Sequence, residues 1–303
     1  MSFVHVETTI EEAGTLAGLE DTGPGTASAL QRFRRQPVAV TGAVVLAAII
    51  VVAVFAPVLA PYDPDAQNLR ESLLPPFTDG HPLGTDELGR DVLSRLMFGA
   101  RTSLLAAVEA VGIGALLGLV PGLIAGYVGG RFDWLVLRAI EALTSFPPII
   151  LAIVVVAALG PGLTNAMLAV GIVFAPRFAR MGRDATMNVR HETFVEAARS
   201  MGLHTHTIIR RHIVPHVLSP LIVMATVLAG VAMIVEAGLS FVGLGARPPT
   251  SSWGTMLATA FRFTTNAPLL IVWPGLCVVI TVLSLNLVGD GIRDSIGKET
   301  RRA

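Results

Sequence analysis

What most constrains this chain is a set of apolar runs long enough to cross a lipid bilayer. A span takes about 20 mainly apolar residues, since a helix rises about 1.5 Å per residue across a hydrocarbon core of roughly 30 Å. Six stretches meet that length: 38–60, 103–128, 136–159, 163–182, 217–237 and 269–289. Charged residues make up only 15% of the chain, and mean hydropathy is +0.67. Soluble domains carry about a quarter charged residues. In lipid every backbone N–H and C=O must be paired within the protein. The expected fold is therefore an all-α integral membrane protein with six transmembrane helices. Gly160-Pro161-Gly162 reads as the helix-breaking turn between the third and fourth spans.

Arginine sets the expected orientation. With the N-terminus in the cytoplasm, sixteen of the 22 Lys and Arg residues fall inside and six outside. The positive-inside rule favours that arrangement. Both termini are then cytoplasmic, and so is the segment 183–215. Net charge is zero, so nothing points to nucleic acid. Cys277 is the single cysteine and lies in an apolar run, where it reads as a small buried hydrophobe. Residues 1–31 are polar and rich in Gly, Thr and Ala, and are expected to form a disordered tail rather than a signal peptide. The run 38–60 follows Arg32, Arg34 and Arg35 and is too long for a signal segment, so it is expected to be retained. Residues 291–303 form the second tail.

Within the second span Gly114, Gly118, Gly122 and Gly126 recur every four residues. Glycines at that spacing line one helix face and let another backbone approach closely. They are read as helix packing, within this chain or against a partner. The external segment 61–100 begins with prolines at 61, 64, 75, 76 and 82 and is expected to be irregular there. From Thr85 an interfacial helix is expected, with Asp86 and Glu87 in its first turn and Asp91 paired to Arg95. Its charges either solvate a face or touch a delivery protein. The second external segment, 238–268, is too apolar for a solvated loop and too broken for a span. It reads as a hairpin covered by protein or lining a cavity.

The cytoplasmic segment is polar and arginine-rich, yet carries helix signals. From Asp184 to Met201 the pattern is helical, with Phe194, Ala198 and Met201 on one face. Gly202 follows, fit for the left-handed conformation that ends a helix. A second short helix is expected from Thr205, closed by Pro215 before the fifth span. Two short helices at an angle, with an exposed apolar knob between them, make a shape that can enter a groove on another protein. A merely amphipathic surface segment would show a simple basic/apolar split. The Glu, the two Ala and the Gly at fixed offsets favour docking.

Glu196-Ala197-Ala198, then Gly202, His212 and Pro215, resembles the EAA coupling motif of membrane subunits of bacterial ABC importers. Three more stretches are similar to the dipeptide/oligopeptide/nickel permease family. They are residues 81–95 (HPLGTDELGRDVLSR), residues 236–245 (EAGLSFVGLG) with Pro248-Pro249, and residues 286–294 (NLVGDGIRD). Together they resemble the second, C-type permease subunit over about residues 32–297. The resemblance implies a type I ABC importer permease fold over residues 101–290. It implies an inner-membrane location, a homologous second permease, two ATP-binding subunits and an external substrate-binding protein. It implies ATP and Mg on those partner subunits, with no cofactor in this chain. It implies ATPase coupling through Glu196, Ala197, Ala198, Met201, Gly202, Ile209, His212 and Pro215. The implied cargo is a dipeptide or oligopeptide; nickel chelates, glutathione or another small solute are alternatives.

Other classes have weaker support. A phosphate-binding loop needs Gly, four residues, Gly-Lys-Ser/Thr, and Gly297-Lys298-Glu299-Thr300 lacks it. A secondary transporter should show paired charges at the midplane and an inverted repeat. Glu109, Glu236, Arg177 and Arg180 form no such pair by position. His204, His206, His212 and His216 have no clustered acids or cysteines to make a metal site. Ser240 is not in a Gly-x-Ser-x-Gly elbow. No catalytic or metal-binding residue is expected.

Overall fold

A computed structural model describes residues 29–296; the expected first tail therefore falls largely outside the described residues, as does most of the second. All regular structure among the described residues is helical. In chain order the helices are α1 (Ala29–Arg34), α2 (Pro37–Leu59), α3 (Val92–Val128), α4 (Gly130–Thr144), α5 (Pro148–Leu159) and α6 (Leu163–Val189). They continue with α7 (Thr193–Ser200), α8 (Thr205–Ile208), α9 (Val214–Phe241), α10 (Trp253–Arg262) and α11 (Leu269–Ile296). Among the described residues four helical rods are long and apolar enough to cross a membrane: Pro37–Leu59, Val92–Val128, Thr205–Phe241 and Leu269–Ser295. A fifth crossing follows if α4 and α5 count as one broken span.

That break corrects the third expected span. The run 136–159 is not one rod: α4 and α5 meet at 91° across Ser145-Phe146-Pro147. Pro147 and Pro148 have no N–H to continue the α4 ladder, and Pro148 instead fits the first turn of a new helix. Ser145 Oγ donates to the Glu141 carbonyl at 2.8 Å and satisfies the cut end of α4.

The second span begins earlier than its hydropathy indicates, and the helix expected from Thr85 is absent. Asp91 caps α3, accepting from Ser94 N and Ser94 Oγ, both at 2.7 Å. Upstream, Asp86 Oδ1 takes the backbone N–H of Leu88 and of Arg90. That turn competes with a helix. Gly89 (φ +69°) then lies against the Asn68 backbone, where an added Cβ would come within 1.8 Å of the Asn68 carbonyl oxygen. Asp91 does not pair with Arg95. Arg95 instead reaches Asp86 and Asp65, each at 3.4 Å, and Arg90 meets Asp86 at 2.7 Å.

The core is built on α3 against α6. An added Cβ would lie 2.8 Å from Phe174 Cβ at Gly114, 2.0 Å from the Ala175 carbonyl oxygen at Gly118, 2.3 Å from that of Ala179 at Gly122, and 2.6 Å from that of Arg183 at Gly126. Gly171 and Gly182 on α6 return the approach, meeting Ile113 and Leu119. Two nearly bare helix faces therefore bring backbones together, and Phe174 and Phe178 fill the flanks.

At one end of the bundle α10 folds back onto α3, α9 and α11. Ser252 and Thr255 form a reciprocal cap at its start, and buried Trp253 donates Nε1–H to the Leu96 carbonyl at 3.1 Å. This is the covered hairpin expected of residues 238–268. Below it, buried Glu236 accepts from Ser103 Oγ (3.1 Å) and Ser240 Oγ (2.7 Å), tying α3 to α9. Gly162 N–H donates to the Leu244 carbonyl, so the turn between α5 and α6 lies at this same end.

Candidate functional site

At the opposite end the chain leaves α6, turns, and makes an elbow from α7 and α8. The helix α6 runs on to Val189, so the expected helix from Asp184 to Met201 is two helices broken at residues 190–192. Arg190 fastens the break by donating Nη1–H to the Gly126 carbonyl at 3.0 Å. Arg183 and Asp133 pair beside it through two hydrogen bonds, joining α4 to α6.

The elbow has an inner and an outer side. Val195 and Ala198 of α7 are buried with Ile208, Ile213, Val217 and Leu123. Burying a side chain such as Val or Ile contributes about 1.5–3 kcal/mol, enough to hold two short helices that would not form alone. Ala198 is thus committed to the chain's own core. Phe194 and Met201 do not share its side: Phe194 is 38% exposed and Met201 73% exposed. Glu196, Ala197 and Gly202 are also exposed. Gly202 takes φ +76°, and Leu203 N–H reaches back to the Ala198 carbonyl at 3.2 Å. This is the glycine-terminated helix end in which a Cβ would be strained. The Arg199 guanidinium sits 5.4 Å from the Tyr127 ring centroid and braces α7 on α3.

Pro215 does not close the second helix. Residues Ile209–Ile213 form a wide π turn, with the Val214 N–H bonded to the Ile209 carbonyl, and the helix continues into α9. A proline ring clashes with the carbonyl four residues back, and the widened turn relieves that clash. Ile209 and His212 lie on this turn, partly exposed. His216 Nδ1 lies 2.7 Å from the His212 carbonyl oxygen. Phe194 stacks on His216, with centroids 5.3 Å apart.

The family model described as binding-protein-dependent transport system inner membrane component matches residues 118–302. The chain belongs to this family. A second model, the N-terminal TM domain of oligopeptide transport permease C, matches residues 26–76. Among curated relatives, the glutathione transport system permease protein GsiD of Escherichia coli O6:K15:H31 is 46% identical over 266 residues, covering 88% of each chain. The protein of that description from Shigella dysenteriae serotype 1 is 45% identical over the same length. Among solved structures, a chain of the MetNI methionine ABC transporter in an inward facing conformation matches with a TM-score of 0.55. It is 23% identical, and the match covers 66% of this chain and 96% of that one. The expected membership of the peptide-type ABC importer permeases therefore holds, and this chain is a transport permease.

A cavity of about 1210 Å³ opens beside the elbow, along α6, α9 and the end of α11. Arg177, Asn188, Glu192, His216, Ser219 and Arg293 are its polar lining, and Phe194 closes one side. Sequence reasoning noted Arg177 only as a charge near a span end, and missed Arg293 altogether as a site residue. The one available signal was that the apolar stretch 163–182 holds two arginines, Arg177 and Arg180, which in lipid need a partner or water.

Proposed function

We propose that this permease works in an ATP-driven importer for small peptides, and that the elbow of α7 and α8 is where a partner ATPase pushes. In this reading α4–α5 and α6 complete six crossings, with both termini and the elbow in the cytoplasm. A homologous permease, two ATP-binding subunits holding ATP and Mg, and an external binding protein complete the machine. The observation that carries the reading is the two-sidedness of the elbow. Val195, Ala198, Ile208 and Ile213 anchor it to the bundle, while Glu196, Ala197, Met201 and Gly202 face outward on a rigid turn. Ile209, His212 and Pro215 form the joint that passes movement to α9. Gly114, Gly118, Gly122 and Gly126 keep α3 and α6 moving as one body. The glutathione permease relatives favour a cargo of tripeptide size.

The test is Gly202→Pro. Proline cannot adopt φ +76°, so the elbow's outer turn is lost while its inner anchor stays. The variant should insert and assemble, hydrolyse ATP, and import no cargo. Normal ATP-driven uptake by this variant would overturn the coupling assignment. Purification of the tagged parent from native membranes should bring a second permease and ATP-hydrolysing subunits with it.

A further inference from the structure

The cavity beside the elbow is lined by more positive than negative charge. Arg177 stands within the apolar stretch 163–182, and neither it nor Arg293 makes an ion pair or side-chain hydrogen bond among the described residues. An arginine at membrane depth is held by a partner or by a water-filled cavity. Here the protein supplies the cavity. Two guanidinium groups and His216 share it with a single carboxylate, Glu192, while Asn188 and Ser219 add uncharged polar groups. The rest of the wall is apolar, as in sites that fix a ligand through a few polar groups. Guanidinium is the side chain best matched to a carboxylate, through paired N–H donors.

We propose that this cavity is the cytoplasmic exit chamber of the transport path, and that Arg177 and Arg293 hold the carboxylate of a departing peptide there. The proposal rests on the importer reading above and names the chemistry its cargo must offer. The floor of the chamber belongs to the elbow itself, since Phe194 of α7 stacks on His216 of α9. Movement of the elbow then reshapes the chamber directly and loosens the held anion.

The test uses the complete importer in inside-out vesicles, with Cys277→Ser removing this chain's single cysteine. Ser219→Cys is then treated with a negatively charged sulfonatoethyl thiosulfonate and with its positively charged trimethylammonium counterpart. Each rate is normalised to that of a free thiol, and labelling is read by the mass of this subunit. The anionic reagent should be favoured. Combining Arg177→Gln with Arg293→Gln should lower the anion-to-cation ratio about threefold or more, and lysines at both positions should restore it. Inertness to both reagents, as when the second permease fills the space, would overturn the proposal. So would a ratio that the arginine substitutions leave unmoved. In reconstituted vesicles, Arg177→Gln should slow uptake of glutathione and trialanine at least tenfold, with Arg177→Lys recovering most of the rate. Unchanged uptake would count against the carboxylate role. A parent complex that imports neither probe would fault the cargo reading, while the labelling ratio still decides the charge of the chamber.

Discussion

Gly112 and Gly118 lie on the same helix, less than two turns apart, and Gly→Ala should act on them in opposite directions. At Gly112 a new Cβ meets nothing within 4 Å. Alanine there gains about 0.5–1 kcal/mol of helix propensity. At Gly118 the new Cβ lies 2.0 Å from the Ala175 carbonyl oxygen and 2.9 Å from Phe178 Cβ. Ordinary contact needs more than 3.4 Å, so α3 and α6 must part locally by roughly 1 Å or more. A gap of that size forfeits about a quarter to a half of each dispersion contact, each worth about 0.1–0.2 kcal/mol. If the seam holds on the order of 50 atom pairs, as one buried leucine does, the loss is about 1–5 kcal/mol. Overpacking in cores costs a similar 1–3 kcal/mol. The propensity gain cancels between the two variants, so Gly118→Ala should be about 1–3 kcal/mol less stable than Gly112→Ala, the range the two estimates share. Unfolding of the purified subunit in mixed micelles, followed by tryptophan fluorescence, measures the difference. Equal stability within about 0.5 kcal/mol would refute the argument that these backbones touch.

Other outcomes follow from the end of the bundle that holds α10. Replacing Asp86 with alanine should destabilise the chain by about 3–5 kcal/mol, since it leaves buried Arg90 and Arg95 short of their shared carboxylate; a midpoint shift below 1 kcal/mol would contradict that. Ser240→Ala removes a donor to Glu236 and the acceptor of the Ala246 N–H, and should cost about 1–3 kcal/mol in the same unfolding assay. Burial, and then the neighbouring Asp86, push the Glu87 carboxyl above its ordinary 4.5. The folded state therefore holds that proton more tightly than the unfolded state does. Its contribution to stability is full below about pH 4.5 and is lost as pH rises through the raised value. Glu87→Gln should remove that slope, so the variant gains on the parent between pH 4.5 and neutrality in Tm measurements; parallel curves would refute it.

Much of this architecture was legible locally. The four-residue period of Gly114 to Gly126 already places those residues on one helix face. A glycine after Met201 already favours a left-handed helix end. What escaped depends on the chain returning to itself. The run 136–159 has enough apolar residues to pass for one span, although Arg138 and Glu141 in its first half and the paired Pro147 and Pro148 mark where the right-angle bend falls. The helix expected from Thr85 failed because Asp86 serves its own backbone and Gly89 packs on Asn68, a contact between distant turns. Ala198 looked available for docking, but Ile208 and Ile213 fold over it. The chamber is formed by α6, α9 and α11 together, and no local pattern announces that Arg177 and Arg293 face one space.

The π turn before Pro215 also has a mechanical meaning. From Thr205 to Phe241 the backbone is one rod of 37 residues, about 55 Å long, with a single widened coil near its lower tip. Such a coil holds one residue more than an ordinary turn, so closing it would swivel everything above by roughly 100° or draw the tip upward by about 1.5 Å. Under the coupling proposed above, a thrust on the elbow would then arrive at the far end of the rod as rotation as much as tilt. The rod would behave as a screw with one thread of play, and Glu236, held by two hydroxyl groups near its upper end, would feel the first quarter-turn.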